Sequence, residues 1–288
     1  MADEHLLLGP VSVDRYVQQG LDLPGGGALN MAYHWAGAAV PFRFLTRIGD
    51  DRPELFLGFL ERHGIAHVPA SIVAPGASAS IDIVLNDDRQ PWMDHFVEGA
   101  WTGLRLTDAE ETIVRDGRRL HVVLVQPVVE EIARLAADGV LDGLVVSGDF
   151  LSFRRYTIDR FAATMAHLDI GFIGWPGDPD DPLLEGVRDV AFSLRKLVLV
   201  TMGAKSIRVF DGRSDPAEVR TFAVDAVEVL GTTVGCGDAF VAGFLASFWR
   251  DGDLDVAIDR GREMGARATA WLRPLPDAAY APGEPVQR

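Results

Sequence analysis

The chain has one cysteine, Cys236, in 288 residues, so it can form no intramolecular disulfide and no cysteine-rich zinc site. No apolar run approaches the about eighteen residues that a membrane span needs. The opening residues, MADEHLLLGPVSVD, carry acid where a secretory leader carries a basic stretch, so a cytoplasmic protein is expected. Bases are scarce: 27 Lys and Arg against 42 Asp and Glu leave a net charge of −15. That balance argues against a nucleic-acid partner, because no basic stripe is present. The densest basic cluster, RDGRR at Arg115 to Arg119, reads as a solvated turn. No internal repeat or low-complexity linker divides the chain, and one domain spanning 1–288 is expected.

Apolar residues are plentiful, at 48%, enough for a substantial core. Short continuous apolar runs bounded by Gly, Pro or Asp read as strands covered on both faces: HLLLGPVSV, PFRFLTRIG, LHVVLVQP, LDGLVVSGD, LDIGFIGW and KLVLVTMG. Helical patterns such as ALNMAYHWAGA, ELFLGFLERHG and VVEEIARLAADG lie between them. This alternation predicts βαβ crossovers and an α/β fold with a mostly parallel sheet. One stretch differs. ASASIDIVLNDDRQPWMDHFVEGAW alternates Ile81, Ile83 and Leu85, then turns at NDD, which is hairpin chemistry. A flap over the sheet and an antiparallel edge extension account for it equally well. Near the end, Phe240, Phe244 and Phe248 mark one apolar helix face, and the Pro-rich RPLPDAAYAPGEPVQR is expected to be a loosely held tail.

The chemistry concentrates in VLGTTVGCGDAF, Val229 to Phe240. Gly235 and Gly237 let the backbone turn several N–H groups to one side, and a helix follows whose positive end adds to them. Asp238 falls in that helix's first turn, where a carboxylate also serves as an ordinary cap. A Walker loop would need Lys followed by Ser or Thr, and a dinucleotide fingerprint would need a third glycine at Phe240. Neither is present.

The string TTVGCGDAFVAGFL resembles the C-terminal signature of the ribokinase/PfkB family of carbohydrate kinases, with Thr233, Gly235, Cys236, Gly237, Asp238 and Phe240 in register. Thr232 stands where that family usually has Asp. PGGGALNMAYHWAGAAVPFRFLTRIGDD looks like the family's N-terminal signature, with Gly25, Gly26, Asn30, Gly49 and Asp50 on its positions. Asp14 falls where family members commonly place an acid on sugar hydroxyls, and VTMGAKSIRVFDG, with Thr201 and Gly203, resembles the approach to the nucleotide site. The family's N-x-x-E motif has no match at FIGWPGDPDD, where Asp178 is the nearest substitute as a metal ligand.

The resemblance implies a ribokinase-like α/β domain with helices flanking a mostly parallel sheet and a small β lid drawn from about 10–22 and 79–101. It implies ATP-dependent phosphorylation of a primary hydroxyl on a sugar or sugar derivative, with Asp238 as general base. Backbone N–H groups of Gly235, Cys236 and Gly237 would stabilise the transferred phosphoryl. Asp14, Gly25, Gly26 and Asn30 would bind the acceptor, and Thr201, Gly203, Thr233, Gly235 and Gly237 the nucleotide. Mg2+ would arrive with ATP, a monovalent cation is common in the family, and related lids often pair into homodimers. GGGALNMA and FVEGAW are most similar to the fructosamine (fructoselysine) kinase-like branch. A nucleoside or vitamin kinase of the same superfamily, or a catalytically weak binding protein of this fold, are the alternatives.

Overall fold

The computed structural model describes residues 4–68, 72–87, 89–225 and 227–280. These form two compact units, one from 1–110 with 228–288, the other from 111–227.

The first unit begins with β1 (His5–Leu8), β2 (Ser12–Tyr16), β3 (Leu21–Gly25), α1 (Gly27–Gly37), β4 (Phe42–Leu45), β5 (Ile48–Gly49), α2 (Pro53–Arg62), β6 (Val73–Ala74), β7 (Ser80–Leu85) and β8 (Pro91–Val97). The run HLLLGPVSV, expected as one strand, is two. Gly9 and Pro10 interrupt it, since proline cannot donate to a ladder. β1 pairs parallel with β4, whereas β2 pairs antiparallel with β3 in a different sheet. There β2 also runs parallel to β7, and β7 pairs antiparallel with β8, giving the order β3-β2-β7-β8. The hairpin at 80–97 is thus half of a separate four-stranded sheet.

The unit boundary falls within α3 (Asp108–Arg115), and the second unit continues with β9 (Arg119–Val123), α4 (Gln126–Ala137), β10 (Val145–Ser152), α5 (Ile158–Met165), β11 (Ile170–Gly174), α6 (Leu183–Ser193), β12 (Leu197–Thr201), β13 (Ser206–Asp211) and β14 (Glu218–Ala223). β9 to β12 run parallel in order, and β13 and β14 extend them antiparallel. Leu197 to Val200 are all fully buried, as a strand covered on both faces requires.

The chain returns to the first unit with α7 (Cys236–Asp251) and α8 (Leu254–Ala268). α7 buries Phe240 and Phe244 at four-residue spacing, and successive rings of Phe240, Phe244 and Phe248 stack at 6.2 and 5.2 Å. The first half of the Pro-rich end is packed rather than loose. Leu275, Ala279 and Tyr280 are buried, and the His63 ring bonds the Ala279 carbonyl at 2.7 Å. Apolar side chains at these spacings outweigh the local preference of proline for loops. Residues 281–288 of that end lie outside the described residues. Among the described residues no helix is long and apolar enough to cross a membrane.

Candidate active site

Gly235 has φ +81°, the left-handed conformation that glycine adopts without strain, and it caps the start of α7. A Cβ there would lie 2.8 Å from the Pro274 Cα, so the close approach of the 271–275 segment independently requires glycine. Cys236 and Gly237 open the helix and Asp238 stands in its first turn. The Cys236 N–H reaches the Thr233 carbonyl at 3.3 Å. Burial, with the nearby charge of Asp238, pushes the Cys236 thiol up to about 12, so it stays protonated and is no nucleophile.

Asp238 is met from α1. The Asn30 side-chain N–H donates to its Oδ2 at 2.7 Å, joining residues 208 apart in sequence. Burial raises the Asp238 carboxyl above its ordinary value, and the Asn30 hydrogen bond opposes that rise. α1 is aimed by Gly26, its N-cap at φ +97°, where a Cβ would come within 2.8 Å of the Pro10 carbonyl.

The second acid comes from β2. Asp14 is 5% exposed and accepts from the Ser12 hydroxyl at 2.7 Å, two residues back on the same strand face. Burial pushes its carboxyl up to about 7; the Ser12 bond lowers it, the charge of Asp238 raises it, and a bond from the Gly26 backbone lowers it. Gly25 makes the room, since a Cβ there would sit 2.0 Å from Asp14 Oδ2. Asp14, Gly25, Gly26 and Asn30 therefore gather at one place with Asp238, which is 208 residues beyond Asn30. Tyr16 Oη, Asn30 Oδ1 and Arg273 Nε are buried there or close by without partners among the described residues. The charges of Asp14, Tyr280 and Arg273 all act on Tyr16. Buried polar atoms are rarely left unpaired, so these orphans mark places for ligand or solvent atoms.

Thr232 is fully buried. Its hydroxyl donates to the Arg89 carbonyl at 3.2 Å and accepts the Val234 N–H at 3.2 Å, while the Thr233 hydroxyl donates to Gln90 Oε1 at 2.9 Å. The turn between β7 and β8 is thereby pinned to the glycine loop. That turn is tight: Arg89 N–H donates to the Asn86 carbonyl at 2.9 Å, and Arg89 itself has φ +59°. In the sequence Thr232 is visible only as a departure from the family pattern, and Ser12, Arg89 and Gln90 belong to no motif; the alternation of Ser12 and Asp14 on one strand is a usable signal for the first, and the hairpin contact has none.

Other residues of the two signatures are structural. Asp50 Oδ1 accepts the Gly76 N–H at 3.1 Å, Asp51 accepts the Ser78 N–H at 2.8 Å, and a Cβ on Gly49 would lie 2.1 Å from the Ser78 nitrogen. Trp35 and Trp101 are core, and Trp92 is 63% exposed on β8. In the second unit, Thr201 ends β12 with its hydroxyl 3.3 Å from the Ile173 carbonyl, and Gly203 turns the chain at φ +58°. Asp178, also in that unit, is an exposed turn residue whose Oδ1 accepts the Asp180 N–H at 3.1 Å. Among the described residues no three His, Cys, Asp or Glu side chains are placed to hold a metal ion. Asp178 belongs to no such group among the described residues.

A sequence profile described as pfkB family carbohydrate kinase matches residues 174–270. The cytidine kinase of Thermococcus kodakarensis is 26% identical over 283 residues, covering 92% of this chain and 97% of that protein. The fructoselysine 6-kinase of Escherichia coli is 26% identical over 267 residues, covering 92% and 96%. Among solved structures, the adenosine kinase from Sinorhizobium meliloti superposes with a TM-score of 0.77 at 19% identity over 96% of this chain and 97% of that one. A ribokinase from Arabidopsis thaliana does so with 0.73 at 19% identity, over 96% of each.

Proposed function

The chain carries a pfkB family carbohydrate kinase domain on a ribokinase-like α/β fold, and from that premise we propose that it transfers the γ-phosphoryl of ATP to a primary hydroxyl of a sugar or sugar derivative, with Asp238 as the base. The observation that carries this reading is the Asn30–Asp238 contact at the glycine-capped start of α7. A half-buried carboxylate with one oxygen occupied by Asn30 keeps the other for a hydroxyl proton. Its raised pKa improves it as a base once ionised. The backbone N–H groups of Gly235, Cys236 and Gly237 lie where the helix dipole is positive and suit an oxygen gaining negative charge; the Cys236 N–H would exchange its long bond to Thr233. Phosphoryl transfer passes through a loose transition state, so positioning and charge stabilisation supply most of the acceleration.

Asp14, held by Ser12 and given space by Gly25, suits the remaining acceptor hydroxyls, as does the open Oδ1 of Asn30. Thr201, Gly203 and Thr233, with the glycines at 235 and 237, are assigned to ATP. When bound, Mg2+ would neutralise the nucleotide phosphates; it is expected to arrive with them, since among the described residues no three His, Cys, Asp or Glu side chains are grouped to hold it, and the roles of Asp238, Asn30 and Asp14 do not depend on it. The four-stranded sheet β3-β2-β7-β8 is assigned as the lid, pinned to the glycine loop through Thr232 and Thr233.

A nucleoside acceptor is the second reading, favoured by the relative named for cytidine, which is as identical to this chain as the one named for fructoselysine. A screen with ATP and magnesium over sugars, sugar–amine conjugates and nucleosides separates the two. On the acceptor so found, Asp238→Asn is expected to lower kcat by about 10²–10⁴ with little change in KM. Unchanged turnover would remove Asp238 from the role of base. Measurable ATP binding with no turnover on any acceptor would favour a binding protein of this fold.

A further inference from the structure

A cavity of about 560 Å³ opens in the first unit between the C-terminal half of α1, the end of α2 and one stripe of α8. Its charge is the reverse of the whole chain's. Arg62, Arg260 and Arg267 line it with Glu263 as the one acid, although the chain overall has 42 acids and 27 bases. Arg260 is held by Glu263. Arg62 and Arg267 have no hydrogen bond or ion pair from their guanidinium groups among the described residues. Both lie in the last turn of a helix, where a cation serves the helix's own end. That role does not require Arg260, in mid-helix, to face the same cavity.

The cavity's second component is a buried, unfilled polar atom. His34 lines the cavity, is 8% exposed, and its Nε2 has no partner among the described residues. Trp271 stacks against that ring at 5.9 Å with the planes 19° apart, and Tyr33 stands edge-on to it at 5.6 Å. Burial, with the charge of Arg267, lowers the His34 pKa to about 4, so the ring is neutral and can exchange a hydrogen bond with a ligand hydroxyl. Free guanidiniums recognise phosphate by paired, charge-assisted hydrogen bonds. An aromatic wall with a neutral polar atom suits the organic part of the same ligand, and the volume is that of a small-molecule site.

We propose that this cavity binds a small organic phosphate, its phosphate on Arg62 and Arg267 and its organic part against His34 and Trp271. The site is separate from Asp14 and Asp238 in its residues and does not depend on the reading of the reaction. His34 lies one turn beyond Asn30 on α1, so the occupied cavity would bear on the helix that positions Asp238.

The test is calorimetric titration of the full chain with ribose 5-phosphate, inorganic phosphate and ribose, in the presence of a saturating non-hydrolysable ATP analogue. Ribose 5-phosphate is expected to bind, and the double variant Arg62→Gln/Arg267→Gln to weaken it about tenfold or more. Asp14→Asn, in the acceptor site, should leave that affinity unchanged, and the double variant should unfold at the wild-type temperature because both arginines are exposed. Equal affinity in the double variant, or loss in Asp14→Asn, would place the ligand elsewhere and overturn the proposal. So would no binding of any probe, and inorganic phosphate binding as tightly as ribose 5-phosphate would overturn the organic ligand.

Discussion

Burial and Asn30 act on Asp238 in opposite ways. Burial disfavours the charged carboxylate, and Asn30, donating to it, favours that form. Replacing Asn30 by Ala removes the donor, so the Asp238 pKa is expected to rise further. The acid limb of the kcat/KM profile against pH should then move to higher pH, and an unmoved limb would show that a different group sets it. Asp14 also leaves a mark on stability. Its pKa goes from an ordinary 3.8 to about 7 in the folded chain. The folded state therefore holds the proton more tightly than the unfolded state. The stability from Asp14 is whole below about 3.8 and is lost as pH rises through about 7, a change of at most ~4 kcal/mol. Asp14→Asn should flatten the fall in unfolding free energy between pH 4 and pH 8, measured by urea titration. A fall as steep as wild type would clear Asp14 of this role.

At the scale of elements, the β7–β8 hairpin and the glycine loop behave as one piece. Thr232 gives one hydroxyl to two partners, the Arg89 carbonyl and the Val234 N–H, and both lose it in Thr232→Val. Leaving the buried Val234 N–H unpaired costs about 1–3 kcal/mol. Acceptor KM is expected to rise more than ATP KM if the hairpin forms the proposed acceptor lid. Restoring an acid with Thr232→Asp should lower activity as well: the position is fully buried and faces the Arg89 carbonyl, which would repel a carboxylate. Activity above wild type in Thr232→Asp would mean that the threonine is a handicap rather than a substitute with its own bonding. The hairpin was legible from the alternation of Ile81, Ile83 and Leu85, and the NDD turn. Its attachment to residues 143 positions away was not, because no local pattern encodes a cross-chain hydrogen bond.

For the whole molecule, the outer strand of the four-stranded sheet leaves Trp92 63%, Met93 42% and Val97 50% exposed, so this edge offers apolar surface to a second copy. We expect a homodimer through the lid; light scattering should give twice the 31.3 kDa chain mass, and Trp92→Glu with Val97→Glu should return it to the monomer. A monomeric wild type would reject that assembly. The sequence alone determined the α/β class, since continuous apolar runs alternating with amphipathic ones admit few other architectures. It also placed the glycine-capped acid at the start of α7, because glycine, turn and helix dipole are local properties. Only the tertiary structure decided that HLLLGPVSV divides between two sheets, that Thr232 bonds the hairpin, and that Asn30 holds Asp238. It also set Asp14 beside that acid and turned three arginines and a buried histidine onto one cavity. Those outcomes depend on which distant segments pack together, and a carboxylate's proton affinity depends on the burial and charges that packing brings to it.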